Sequence, residues 1–125
     1  MALKNLWYTA SICLSLLIAQ GCETSCADEE VTAFFEKELL IIEDNLGAEN
    51  IVGGRSMIAV FTLQKITGIQ SSVRFGDTSV YPDFDAFSLD KSKWEKWLNK
   101  NGCELEADYV ESVLQKVRND HPYLI

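Results

Sequence analysis

The residues of this chain best suited to covalent or metal chemistry are its four cysteines, Cys13, Cys22, Cys26 and Cys103. Thiols form disulfides, ligate zinc or carry covalent modifications. The chain contains no Cys-x-x-Cys pair and a single histidine, His121, so the spacing does not predict a zinc site. Disulfide formation and covalent modification remain, and the choice between them depends on the compartment in which the chain works.

The N-terminal segment predicts export. Lys4 and the amino terminus supply positive charge, residues 6–19 form an uncharged and largely apolar run, and small residues lead into Cys22. This order is that of a secretory signal peptide. The ending Ala19-Gln20-Gly21-Cys22 resembles the lipobox of bacterial lipoproteins, which implies cleavage before Cys22 and a lipid on its sulfur. We therefore divide the chain into a signal peptide (1–21), a polar stalk (22–30) and one domain (31–125).

Two other fates of the N-terminal segment stay open. Ordinary cleavage, after Gly21 or after Ala27, would release a secreted protein without lipid. An uncleaved membrane anchor is less favoured, because the apolar run is shorter than the roughly 20 residues that span a bilayer. No block of Lys or Arg follows it as a stop signal.

The cysteine count favours one disulfide in the exported chain. Cys13 leaves with the signal peptide, so Cys22, Cys26 and Cys103 remain, an odd number for an oxidising compartment. If Cys22 takes lipid, Cys26 and Cys103 are left as one pair. The alternative places Cys26 in a disordered stalk and leaves Cys103 as a lone buried thiol.

The charge balance is acidic. The formal charge of −8 becomes −9 when residues 1–21 are removed, since they contain Lys4 and no Asp or Glu. This balance argues against binding of nucleic acid or of an anionic membrane surface through charge. It fits a basic protein partner, or a surface that is acidic for solubility alone. Lys91, Lys93, Lys96 and Lys100 form a local basic patch on the third predicted helix. The alternative interpretation is a solvated helix face without a binding role.

Hydrophobic periodicity predicts four helices, at about 28–46, 55–66, 90–101 and 106–119. The second segment is apolar on most sides, and its β-branched residues would also permit a strand. Asp90 is expected to cap the third helix, and Pro122 to follow the end of the fourth. Residues 69–89 are expected to lie over the helices as an ordered loop, with a short hairpin at about 75–81. The predicted fold is all-α, with one long aromatic-rich loop.

Residues 53–101 carry a resemblance. The run Leu63-Gln64-Lys65-Ile66-Thr67-Gly68, a variable loop, and then Trp94-Glu95-Lys96-Trp97 resemble a terminal unit of bacterial HEAT-like repeat proteins. The chain holds one copy of this unit, and its loop is longer than that of a compact repeat. The resemblance implies paired antiparallel helices that act as a binding surface. Trp94 and Trp97 face one side of their helix and would either anchor a partner or fill the core.

Catalytic and metal motifs are weak. His121 is the only histidine, and the sequence contains no Gly-x-Ser-x-Gly elbow, His-Glu-x-x-His motif or phosphate loop. The acidic loop residues Asp77, Asp83, Asp85 and Asp90 lack the spacing of a calcium loop. We expect no cofactor and no enzyme activity.

The sequence as a whole predicts a non-catalytic protein of the bacterial cell envelope, in the periplasm or at the outer membrane. Anchored by a lipid on Cys22, it would bind another protein. One alternative is a periplasmic immunity or inhibitor protein that neutralises a delivered, basic toxin. Another is a structural component of a larger envelope assembly.

Overall fold

A computed structural model describes residues 26–124, and it is all-α as predicted. The four helices are α1 (Glu29–Asp44), α2 (Gly54–Thr67), α3 (Phe84–Asn101) and α4 (Ala107–Asp120). Three single-turn 3₁₀ helices follow α1, α3 and α4, at Ala48–Asn50, Gly102–Glu104 and Pro122–Leu124. Within residues 26–124 the β structure consists of isolated bridges, and no strand forms.

Helix α2 forms the centre of the fold. It packs most extensively on α1 and α4, and more lightly on α3. Nine of its fourteen residues are buried, including the fully covered Ala59, Val60 and Leu63. An α-helix that is apolar on most sides has to be covered on most sides, and the three other helices provide that cover. The prediction of a helix here is confirmed, and the strand alternative is wrong.

Helix α3 begins six residues earlier than the sequence predicted. Asp83, not Asp90, caps it: its Oδ1 accepts a hydrogen bond of 2.8 Å from the backbone N–H of Ala86. Asp90 lies inside the helix, where it is 1% exposed. Because Phe87, Asp90 and Trp94 share the buried face, the apolar stripe is interrupted by one acid. That interruption made a helix interior resemble a helix start.

Residues 68–83 cross the helices as one irregular segment. Gly68 ends α2 in the left-handed conformation, at φ 74°, where a residue without Cβ is favoured. Arg74 and Val80 then exchange two backbone hydrogen bonds of 2.8 and 3.1 Å, so a short hairpin-like turn forms where one was expected. Val73 and Tyr81 are buried, which fixes the segment on the core.

The two ends of the described chain pack on the helices. Leu124 lies so close to Gly54, at the start of α2, that a Cβ at residue 54 would collide with its carbonyl. At the other end, Ala27 packs against Gly102, where a Cβ would also collide. None of the helices in residues 26–124 is both long and apolar enough to cross a membrane. The proposed signal peptide lies outside the described residues.

Candidate binding site

The two tryptophans of α3 have different surroundings. Trp94 is fully buried, and its Nε1 donates a hydrogen bond of 3.2 Å to the carbonyl of Ile69. It therefore belongs to the core, and its assignment as a partner-binding residue is wrong because no surface remains for a partner to touch. Trp97 is half-buried and stacks on Phe35, with ring centroids 6.3 Å apart. Only Trp97 presents part of its ring at the surface.

Cys26 and Cys103 are joined in a disulfide, with their Cα atoms 5.0 Å apart. The bond fastens the segment before α1 to the 3₁₀ turn after α3. Cys22, the proposed lipid carrier, lies outside the described residues.

The acidic loop residues are used for structure. Asp83 caps α3, and Asp90 accepts two hydrogen bonds from Ser72, of 2.7 Å from its backbone N–H and 2.8 Å from its hydroxyl. The Tyr81 hydroxyl lies beside Asp90, is buried, and makes no hydrogen bond of ordinary geometry. We call Ser72, Tyr81 and Asp90 the Asp90 clasp, since they hold the loop on α3. Across residues 26–124, no three His, Cys, Asp or Glu side chains are grouped as metal ligands.

A second buried carboxylate, Glu38 of α1, lines an open groove between α1, α2 and α4. The groove has a volume of about 370 Å³. Ile41, Ile58 and Leu114 form apolar walls, and Arg55 and Arg118 stand at the exposed edges. Gln115 and Asn119 complete the lining. We call this the Glu38 groove.

Glu38 is only 2% exposed, yet its carboxylate makes no hydrogen bond or ion pair with any residue in 26–124. Burial raises the pKa of Glu38 above its ordinary value, against the opposing effects of Lys37, Arg118 and Arg55. An unpaired carboxylate is costly to bury, and most buried polar groups have partners. Glu38 is the natural place for a ligand to supply the missing partner.

A third surface surrounds Phe61 and includes the only histidine. The ring of Phe61 lies between those of Phe75, at 5.8 Å, and His121, at 4.8 Å. His121 Nδ1 is 2.9 Å from the Tyr123 hydroxyl. Phe75 and Tyr123 are largely exposed along a neighbouring groove of about 500 Å³. These contacts place His121 in an aromatic cluster, where its partner is a tyrosine.

Sequence reasoning did not single out Glu38 as a site. In the sequence Glu38 occupies a position of the apolar helical spacing of the first helix, between Phe35 and Leu39, and an acid at such a position was the available signal. Arg55 and Arg118 are 63 positions apart and carried no signal at all. No family model, curated protein or solved structure matches this chain.

Proposed function

We propose that this chain is a non-catalytic, lipid-anchored protein of the bacterial cell envelope, and that it binds another protein through the Glu38 groove. The observation that supports the proposal is a buried carboxylate, without a hydrogen bond or ion pair in residues 26–124, that lines an open, mostly apolar groove. The Cys22 ending and the resemblance of residues 53–101 to HEAT-like binding surfaces support the location and the role.

Glu38, the one acid among residues 26–124 that lines the groove, suits a basic side chain of the partner. The aliphatic part of a lysine or arginine would lie against Ile58 and Leu114, and its charged end would reach Glu38. A cation there would favour the ionised carboxylate and remove the cost of burying it alone. Arg55 and Arg118 at the edges suit carboxylates or backbone carbonyls that flank the inserted residue.

An immunity or inhibitor protein against a delivered toxin is the second candidate. It is favoured by the same groove together with the formal charge of −9 for residues 22–125. An acidic surface attracts a basic partner from a distance and raises the rate of association. A basic toxin encoded beside this gene would be the partner to test first.

Site-specific cross-linking tests the groove. A photo-reactive amino acid at Gln115, which lines the groove and is exposed, is introduced into the full chain in its native envelope. We expect one dominant cross-linked protein, attached through a peptide that contains lysine or arginine. Substitution Glu38→Gln should lower its yield by about tenfold, because the buried charge pair is lost.

The matched control is Glu36→Gln, an exposed acid two positions away on α1. It removes the same charge and should leave the cross-link unchanged. Equal yields from both substituted chains would contradict the assignment of the groove. The anchor is tested separately by intact mass, which should equal the chain from Cys22 plus acyl groups.

A further inference from the structure

One face of α3 combines basic and apolar side chains. Leu89, Lys93, Lys96 and Lys100 follow one another at intervals of four, three and four residues, so they form a stripe along the helix. All four are exposed, and Leu89 is 60% exposed. We call these four residues the lysine stripe. Trp97 borders it, in a shallow groove of about 370 Å³ that Ile69 also lines.

The lysines of the stripe make no ion pair with any residue that the structure describes. Among residues 26–124 the lysines in ion pairs are Lys91, 3.8 Å from Glu43, and Lys116, 3.2 Å from Asp120. Lys93, Lys96 and Lys100 make none there, and no carboxylate lines their groove. Three cations beside a half-buried tryptophan suit an anionic surface with an apolar layer beneath it.

The N-terminal segment reaches the domain at one end of the stripe. Cys103, three residues after Lys100, holds Cys26 in the disulfide, and Ala27 packs on Gly102. Phe35, in the second turn of α1, stacks on Trp97. Cys22 lies four residues before Cys26, a span of at most about 14 Å when extended. A lipid on Cys22 would therefore enter the bilayer close to Lys100 and Trp97.

We propose that the lysine stripe and Trp97 dock on the anionic phospholipid headgroups of the membrane that holds the Cys22 lipid. The proposal rests on the lipid anchor of the proposed function. Lysines near an anionic bilayer are attracted to its phosphates, and tryptophan favours the headgroup region. A single acyl chain gives only marginal binding, so a basic face beside the anchor supplies a second attachment.

Docking through the lysine stripe would leave the Glu38 groove uncovered. The Glu38 groove is lined by α1, α2 and α4 and shares no residue with the groove at Trp97. A partner could therefore enter the Glu38 groove while the stripe is occupied. The positive charge of the lysine stripe predicts attraction to an anionic membrane, whereas the negative net charge of the domain predicts repulsion. Binding to anionic vesicles therefore distinguishes the two.

The test measures partition of the envelope-purified full chain between vesicles of pure phosphatidylcholine and vesicles with 30% phosphatidylglycerol, at about 0.1 M salt. Net charge alone predicts weaker binding to the anionic vesicles. Docking predicts binding about tenfold tighter, because each lysine near the surface contributes roughly fivefold and the acidic remainder opposes it. Substitution of Lys93, Lys96 and Lys100 by glutamine should abolish or reverse this preference.

The control replaces three exposed lysines elsewhere, Lys37, Lys65 and Lys116, by glutamine. It changes the net charge equally and should keep the preference for anionic vesicles. Equal partition of the unsubstituted protein between the two vesicle types, or equal loss in both triple variants, would overturn the proposal.

Failure of the anchor is distinguishable from failure of the stripe. Intact mass reports acylation of the same preparation. The full chain with Cys22→Ser, which cannot carry the lipid there, is measured at about 10 mM lipid to compensate for its weaker binding. A retained preference for anionic vesicles in that chain supports the stripe even if no acyl group is found. Absence of the preference in both chains contradicts it.

Discussion

Two helices of this protein each bury one carboxylate, and the two carboxylates have opposite surroundings. Asp90 of α3 is enclosed by the loop and accepts two hydrogen bonds from Ser72. Glu38 of α1 is nearly as buried but makes no hydrogen bond or ion pair with any residue in 26–124, and it lines an open groove. Both positions interrupt an apolar helix stripe, so burial alone does not separate a structural acid from a candidate binding residue.

The difference lies in what each carboxylate can gain from a ligand. The two bonds from Ser72 already compensate the burial of Asp90, and a ligand would have to break them. Glu38 makes no hydrogen bond within residues 26–124, and its oxygens keep some contact with solvent in the groove, so a donor group of a partner can reach them. The Asp90 clasp therefore holds the fold together, whereas the Glu38 groove costs stability that binding can recover.

The largest expected effect concerns the bond that links the two regions. The Cys26–Cys103 disulfide joins the segment before α1 to the turn after α3. Helix α1 carries Glu38, and helix α3 carries Asp90. Replacing both cysteines by serine should lower the free energy of unfolding by about 4 kcal/mol, since the closed loop spans most of the domain. Urea unfolding followed by tryptophan fluorescence and by circular dichroism measures it.

The same experiment asks whether the two regions unfold together. Trp94 and Trp97 lie in α3, and Trp97 stacks on Phe35 of α1, so fluorescence reports α3 and its contact with α1, whereas circular dichroism reports all four helices. We expect the two transitions to coincide in both proteins. Separate transitions would show that the clasp and the groove belong to independently stable parts, and an unchanged midpoint would contradict the estimate for the disulfide.

Removal of the clasp comes next. Substitution Asp90→Ala should cost about 3 kcal/mol, because two hydrogen bonds to a charged acceptor are lost and the Ser72 N–H is left without its partner. Ser72→Ala deletes only the hydroxyl bond and should cost about 1.5 kcal/mol. Both values come from urea unfolding at pH 7. Equal losses for the two substitutions would show that the backbone bond from Ser72 contributes nothing.

Sequence patterns were sufficient to place three of the four helices, but they identified neither carboxylate. The apolar residues of α1 and α4 repeat at helical spacing, and glycines bound the apolar run of α2, so those three helices could be placed to within one or two residues. Asp90 was read as a cap because Asp favours helix starts, and its partner Ser72 lies 18 residues away. Contacts at such separations are created by tertiary packing, so no local pattern contains them. The same holds for Glu38, Arg55 and Arg118.

A smaller effect of opposite sign is expected at Glu38. Its raised pKa means that the folded state favours the protonated acid. This contribution to stability is complete below the ordinary pKa of glutamate, and it is lost as the pH rises through the higher pKa of the folded state. Glu38→Gln should therefore stabilise the protein by about 1 kcal/mol at pH 7 and have little effect at pH 4.

Urea midpoints at pH 4 and pH 7 measure this gain, with exposed Glu36→Gln as the control. The control should show no gain at either pH. A loss of stability at pH 7 in Glu38→Gln would mean that Glu38 is a satisfied structural acid like Asp90. The contrast between the two carboxylates would then disappear, together with the main support for the groove.

The smallest effect concerns the Tyr81 hydroxyl, which decides how far the clasp extends. It lies beside Asp90 without a hydrogen bond of ordinary geometry, and burial together with the nearby carboxylate raises its pKa. Tyr81→Phe should leave stability at pH 7 unchanged or raise it by about 0.5 kcal/mol, whereas loss of a bond to a charged acceptor would cost about 2 kcal/mol.

Above pH 10 the unfolded state ionises this phenol more readily than the folded state does, so the unsubstituted protein should lose stability faster than Tyr81→Phe. Combining Tyr81→Phe with Ser72→Ala should give additive changes in the free energy of unfolding. A coupling of 1 kcal/mol or more would place the hydroxyl among the groups that satisfy Asp90, and the contrast with Glu38 would become sharper still.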